Sequence, residues 1–356
     1  TQEKDPCRMT DDPRQTPDRP ATNSLNKQHI KTKTYIFLLA TLVLTACHRT
    51  PDIGVPVTRC ADMPSPRASA TCFVVADRAY IFGGRDSAGT YLNDLWQYDP
   101  VADQWTQYAA TTPLAGRVNA TACVDADRNI YLGLGFNGKY GADNTYLRDW
   151  WHLNLADGQW TRLTDYPNHN TDNAVAFAGN GELYVGYGFC WTYARDMFRY
   201  DILSDHWDTI DVHVASHGYP PRSFGGCGCT CGGRYFAGTG YKGKSLDWWA
   251  EFLPEGKWVE CAPVPGQTRT LAAAAATGQY AYVIGGFHYG GIGTNGQLLS
   301  DIRRYDPQTD SWQYAGNLPT PLMNHLAFAV GNRVFVGIGE TTDEQMCNHL
   351  YCIHEE

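Results

Sequence analysis

An all-β chain built from six repeats of about fifty residues is predicted by three observations. A glycine closes a short apolar segment at positions 84, 135, 188, 240, 286 and 339, at intervals of 51, 53, 52, 46 and 53 residues. A tryptophan recurs at 105, 160, 207, 258 and 312, at intervals of 55, 47, 51 and 54. Between these marks the apolar residues alternate with polar ones, or run in short β-branched and aromatic stretches bounded by turn residues. No long window carries the 3.6-residue period of a helix. Marks held in such register define internal repeats, each of which needs its neighbours to bury its apolar face.

Composition narrows the class. Of 356 residues 36 are glycine, 13% are aromatic and only 18% are charged, which excludes a disordered, coiled-coil or collagen-like chain. The net charge is −9. Residues 47–356 hold 21 basic and 32 acidic side chains, so the body is acidic and no nucleic-acid partner is expected.

Taken in chain order, residues 1–26 are polar and rich in proline (Pro6, Pro13, Pro17, Pro20), and read as a disordered or mis-called upstream segment. Residues 27–47 read as a lipoprotein signal peptide. Lys27, Lys31 and Lys33 precede an apolar run over residues 35–44, and Leu44-Thr45-Ala46-Cys47 follows. The run is too short for an ordinary membrane-spanning helix. Its ending resembles the bacterial lipobox, which implies lipidation of Cys47 and an address in the envelope of a Gram-negative bacterium, anchored to the outer membrane. The lipid is then the only expected contact with the membrane. Residues 48–54 form a tether, and residues 55–356 form the repeated body.

Each repeat opens on a segment with proline and often arginine, as in Pro64-Ser65-Pro66-Arg67 and Pro220-Pro221-Arg222. An apolar strand ending in glycine follows, as in Ile81-Phe82-Gly83-Gly84 and Val283-Ile284-Gly285-Gly286. Next come a strand with tyrosine before Asp-Pro (Tyr98-Asp99-Pro100, Tyr305-Asp306-Pro307), a turn, and the tryptophan. The sixth repeat stops at its third strand, near residues 348–353. Residues 55–60 stand where a fourth strand belongs, so the N-terminal segment is predicted to complete the last repeat and remove an exposed edge.

The glycine pair, the tyrosine before Asp-Pro and the later tryptophan resemble the Kelch repeat family over about residues 55–356. The resemblance implies a six-bladed β-propeller, with four strands per blade around a central channel. It also implies a ligand pocket at the channel mouth, lined by the start of each inner strand and the loop after each glycine pair. Carried onto this sequence, those positions give Arg67, Asn119, Arg117, Arg222, Arg269, Asn324 and His325 from the inner strands. They give Arg85, Tyr140, Trp191, Tyr193, Tyr241, Lys242 and Tyr289 from the loops. Aromatic rings beside polar and basic groups suit a sugar, whose apolar face stacks while its hydroxyls hydrogen-bond; the basic groups also suit an anion.

Binding of a carbohydrate by an envelope-anchored propeller is therefore the leading expectation. A second is anomer exchange on N-acetylneuraminate or a related sugar acid, as in the exported Kelch proteins this chain distantly resembles, with Glu340 or His288 as acid/base and Arg85, Arg117 or Arg222 for the carboxylate. A third is docking of an envelope protein. No cofactor and no metal are expected. The copper ligands of galactose oxidase find no matching pattern, and no Gly-x-Ser-x-Gly elbow is present. Cys227, Cys229 and Cys231 share one strand face, but they align with small apolar residues of other repeats (Cys72, Val74, Ala274, Ala276), so packing is the expected role.

Overall fold

The computed structural model describes residues 54–138, 146–167, 171–190, 192–193, 195–214, 220–341 and 345–354, and all regular structure among them is β. Six antiparallel sheets follow one another along the chain. The first contains Thr71–Val75, Arg78–Phe82, Leu95–Asp99 and Gln104–Ala109. The second contains Thr121–Val124, Ile130–Gly133, Trp150–Asn154 and Gln159–Leu163, and the third Val175–Gly179, Glu182–Gly186, Met197–Asp201 and His206–Ile210. The fourth is built from Cys227–Cys231, Arg234–Gly238, Trp249–Leu253 and Lys257–Glu260, and the fifth from Ala273–Ala276, Ala281–His288, Gln297–Asp306 and Ser311–Asn317. In the sixth, Leu326–Val330, Arg333–Glu340 and Met346–His354 share a sheet with Val57–Arg59, whose partners are Ile353, Cys352 and Tyr351. These are the six blades of a β-propeller.

The fourth blade departs from the four-strand pattern. His213–Val214, which follows the third blade in sequence, lies parallel to Lys257–Glu260 as a fifth, outer strand. Two residues carry too little pattern to be read as a strand from sequence.

The apolar clusters lie between blades. Phe73, Tyr80 and Leu95 of the first blade pack with Ile130, Leu132 and Leu153 of the second. Tyr98 of the first meets Phe328 and Phe335 of the sixth, at ring-centroid distances of 6.4 and 5.7 Å. Each blade buries both faces of its sheet against its neighbours, which explains the near-continuous burial of second strands such as Ala79 to Phe82.

The recurrent tryptophans tie the blades to the chain arriving from the previous blade. Trp105, Trp207 and Trp312 donate their indole N–H to the carbonyls of Ala61, Thr164 and Ala262, at 2.9, 3.0 and 2.8 Å. Two residues before each stands an aspartate with positive φ, at 52°, 49° and 48° for Asp103, Asp205 and Asp310. Each accepts from the backbone N–H of that same crossing residue, Ala61, Thr164 or Ala262, always at 2.8 Å. Each also accepts from a tyrosine of its own blade: Tyr98, Tyr200 or Tyr305. In the second and fourth blades the equivalent residues are Gly158 and Gly256, also at positive φ.

The closing glycines answer a different demand. Gly84, Gly135, Gly188, Gly240 and Gly286 have φ between 94° and 101°. At Gly84, Gly135, Gly188 and Gly286 a Cβ would come within 2.4–2.8 Å of a backbone carbonyl of the same blade's inner strand lead, so only glycine lets the two segments close up.

Around the channel runs a set of backbone hydrogen bonds from blade to blade. The N–H of Asn119 donates to Ser69, Asn173 to Asn119, Leu271 to Gly225, Asn324 to Leu271, and Ser69 to Asn324, at 2.7–3.2 Å. All six of these residues have φ between 51° and 63°. Their side chains and the strands they open line the channel. Among the described residues, no helix is long and apolar enough to cross a membrane.

Candidate functional site

One end of the channel is framed by six antiparallel bridges, one per blade. They pair Ala68 with Arg85, Val118 with Phe136, Asp172 with Phe189, Phe224 with Tyr241, Thr270 with Phe287, and Met323 with Glu340. The first member precedes an inner strand and the second follows a glycine mark. The bridges therefore set the rim of the mouth, and their side chains decide its chemistry.

The rim is uneven. Between the sixth and first blades it is ionic: Glu340 accepts from Arg85 Nη2 at 2.9 Å and from Asn324 Nδ2 at 3.1 Å. From the second blade to the fifth it is aromatic. Tyr146, Phe189, Phe224, Tyr241, Phe287 and Tyr289, with Thr270 and Asp172, line a cavity of about 440 Å³. Tyr241 and Tyr289 lie 5.9 Å apart between centroids, and Phe189 meets Tyr146 and Phe224 edge-on at 6.0 and 5.3 Å.

Asp172 is the acid of that cavity. It is 5% exposed. Its Oδ2 accepts from Asn119 Nδ2 at 3.1 Å, whereas Oδ1 is buried without a hydrogen-bond partner. Burial pushes the carboxyl up to about 6, from an ordinary 3.8, against the smaller opposing pull of the Asn119 and Asn173 amides. Asn173 Nδ2 stands near the carboxylate but makes no well-formed hydrogen bond of its own. A carboxyl that changes charge near neutral pH, on a residue that lines an apolar cavity, can accept from a hydroxyl or amine, hold a cation, or move a proton.

Several residues expected at the pocket are occupied elsewhere. Arg67, Arg117 and Arg269 are buried and form two-pronged pairs with Asp94, Asp149 and Asp301, with N–O distances of 2.6–3.0 Å. Each also donates to a glycine-mark carbonyl, of Gly83, Leu134 or Gly285. Burial works against the three aspartates, yet the guanidinium holds each below the usual carboxylate range. These arginines join the lead of the inner strand to the third strand of the same blade and are not ligand groups. Arg222 is exposed and one position off the register of that set, in which Ser223 is the equivalent residue. Lys242 is exposed on the hairpin after Tyr241.

The two candidate acid/base groups do not meet. Glu340 is at the rim but fully engaged by Arg85 and Asn324. His288 points away from the mouth: its neighbours Phe287 and Tyr289 line the cavity, while its Nδ1 lies 2.9 Å from the Thr268 carbonyl and 3.0 Å from its hydroxyl. Alternation along a strand explains the difference. His325 lines the channel below the rim, with neither ring nitrogen hydrogen-bonded, and burial lowers it to about 4, so its imidazole is neutral.

Asn119, Asn324, Tyr241 and Tyr289 are where they were expected, at the channel or its mouth. Cys47, Tyr140, Trp191 and the side chain of Tyr193 lie outside the described residues. Cys227 and Cys231 are buried and Cys229 half-buried, and burial raises the thiols of Cys227, to about 11, and Cys229. Among the described residues no three His, Cys, Asp or Glu side chains are grouped to hold a metal.

Sequence reading missed Asp172, Tyr146, Phe189, Phe224 and Phe287. An alignment of tripeptides would have found the first members. Arg67-Ala68-Ser69, Arg117-Val118-Asn119, Thr171-Asp172-Asn173, Ser223-Phe224-Gly225, Arg269-Thr270-Leu271 and Leu322-Met323-Asn324 are equivalent, and the middle residue of each is the one on the rim.

Comparison with known proteins bears on the fold. The KLHDC2/KLHL20/DRC7 Kelch-repeats domain matches residues 26–236, and the Kelch motif matches residues 268–319. The chain is 21% identical over 296 residues to Kelch-like protein 25 of Xenopus tropicalis, covering 82% of this chain and 40% of that protein. It is 42% identical over 82 residues to Beta-scruin of Limulus polyphemus, which is 23% of this chain and 8% of that one. To Kelch domain-containing protein 1 of Homo sapiens it is 35% identical over 124 residues, 33% of this chain and 27% of that one. The chain thus spans less than half the length of these curated relatives. A solved structure described as "Structure of YjhT" superposes with a TM-score of 0.68 at 19% identity, covering 83% of this chain and 97% of that one. At that identity the likeness concerns the fold alone.

Proposed function

Because the chain belongs to the Kelch-repeat family, we propose that it is a ligand-binding propeller whose channel mouth takes a carbohydrate. The observation that carries this reading is the cavity of about 440 Å³, walled among the described residues by six aromatic side chains together with Thr270 and the carboxyl-bearing Asp172. Aromatic walls offer stacking area to the apolar face of a pyranose at little entropic cost, and a carboxylate oxygen accepts from its hydroxyls. The rim arginines do not favour a sugar acid, since Arg117 is spent within its blade and Arg85 is neutralised by Glu340.

The reading is tested by saturation-transfer NMR with a panel of neutral, amino and acidic monosaccharides. Transfer to at least one class is expected, with loss of more than tenfold in affinity on Tyr241→Ala or Asp172→Ala. Silence across the panel would remove the carbohydrate reading. The carboxyl near 6 favours a second reading, anomer exchange, in which Asp172 takes the anomeric hydroxyl proton while a solvent water protonates the ring oxygen; the bond from the anomeric carbon to the ring oxygen breaks to give the open-chain carbonyl, and reclosure on its other face returns both protons. Faster exchange of bound sugar anomers in the same spectra, abolished in Asp172→Asn, would establish it.

For the address, the lysines, apolar run and Leu44-Thr45-Ala46-Cys47 ending support a lipid on Cys47 and an envelope location. Incorporation of a labelled fatty acid that disappears in Cys47→Ser is the expected result.

A further inference from the structure

We infer that the ligand of the aromatic cavity carries an ammonium group, seated against Asp172 and enclosed by the rings of Tyr146, Phe189, Phe224, Tyr241, Phe287 and Tyr289. This rests on the proposal that the channel mouth is the binding site, and it names the chemistry that the mouth selects.

Three independent observations converge. The wall is aromatic on four successive blades, and the face of an aromatic ring carries the negative lobe of its quadrupole, which attracts a cation. Among the described residues of the lining the one carboxylate, Asp172, has Oδ1 buried and unpaired, while its other oxygen is held by an amide and not by a cation. Finally, among the described residues no lysine or arginine lines the cavity; Arg85 serves Glu340 across the rim and Arg117 serves Asp149. A buried carboxylate with one free oxygen normally finds a positive partner, because desolvation without one costs several kcal/mol. Here Asp172 lines a cavity with room for such a partner from outside. A neutral sugar satisfies one acceptor but makes no use of the enclosed charge. An ammonium head uses the carboxylate and the rings together.

The inference also sets a pH dependence. An ammonium of fixed charge binds the ionised carboxyl, so affinity should be constant above pH 7 and fall about tenfold per unit below pH 6. Among the described residues the other titratable groups lining the cavity are the phenols of Tyr146, Tyr241 and Tyr289. Across the rim stands the Arg85–Glu340 pair, and below it the neutral His325.

The test is calorimetric titration of the full chain with choline and with its uncharged isostere 3,3-dimethylbutan-1-ol, and with glucosamine and glucose, from pH 5 to 8. Choline is expected to bind at least tenfold tighter than the isostere at pH 7.5, with glucosamine preferred over glucose in the same sense. Both preferences should shrink to about twofold in Asp172→Asn, whose circular dichroism reports that the blades are intact. Tyr289→Leu, which keeps the carboxylate and removes one ring, should weaken choline and leave the pH midpoint in place. Equal binding of charged and neutral probes would overturn the ammonium inference and leave the binding site standing. So would a preference that survives Asp172→Asn. Absence of binding by every probe and every sugar would overturn both.

Discussion

At the scale of single residues, Asp172 shows a group whose placement costs stability. Its folded carboxyl is raised above the unfolded value, so at neutral pH the folded chain carries a buried charge that the unfolded chain holds in water; the penalty is full above about pH 6, fades as the pH falls from 6 toward 3.8, and is absent below that. Asp172→Asn, which keeps an oxygen for the Asn119 amide, is expected to raise stability by about 1–3 kcal/mol at pH 7.5 and to change little at pH 4. Urea unfolding at the two pH values checks this. His325 works in the opposite direction. Its folded value of about 4 lies below the ordinary 6.5, so stability is lost as the pH falls from 6.5 toward 4. Wild-type acid loss is thus partly offset by Asp172, and the loss in Asp172→Asn should be steeper. The arginines show why residue roles were hard to read. Arg67, Arg117 and Arg269 look like ligand groups in a loop-rich sequence, but their partners lie 27, 32 and 32 residues downstream, on a strand that only the fold brings alongside.

At the scale of the element, the turn before the fourth strand is the most regular device in the molecule. Asp103, Asp205 and Asp310 satisfy a tyrosine hydroxyl and a backbone N–H of the crossing segment while holding left-handed backbone. Asp103→Ala loses both hydrogen bonds and adds strain, and is expected to cost about 2–4 kcal/mol. Asp103→Gly should cost about 1 kcal/mol less, because the second and fourth blades already use Gly158 and Gly256 there. Equilibrium denaturation of the two variants decides it. The position two residues before each tryptophan was open to inspection in the sequence, because only aspartate and glycine occur there. Its meaning was not, since the groups it satisfies lie on the chain of the previous blade. The outer strand His213–Val214 had no pattern at all to reveal it.

At the scale of the whole molecule, the marks were sufficient for the number of blades because a repeat must bury both faces of its sheet, and each apolar cluster here spans two neighbouring blades. They were insufficient for the site, because a channel mouth is assembled from one residue per blade, separated by about fifty positions. Val57–Arg59 pairs with Met346–His354 across nearly the full length of the chain. Deleting residues 1–60 would expose the edge of that last strand. The expected outcome is a loss of about 2–4 kcal/mol, from the lost strand pairing and apolar packing, together with concentration-dependent association through the bare edge. Urea midpoints and size-exclusion profiles across a dilution series would show it.

The blade-to-blade hydrogen bonds from Asn119 to Ser69, Asn173 to Asn119, Leu271 to Gly225, Asn324 to Leu271 and Ser69 to Asn324 all circulate in one sense. Peptide dipoles stacked head to tail along a helix add up and charge its two ends. Laid around a circle with five of its six steps made, the same dipoles largely cancel. The backbone girdle of this channel therefore projects almost no field along its axis. An anion entering the mouth meets no helix terminus to welcome it, and a cation meets none to repel it. Whatever sign of charge the mouth prefers is written in its side chains alone, and so a single substitution at Asp172 is enough to rewrite it.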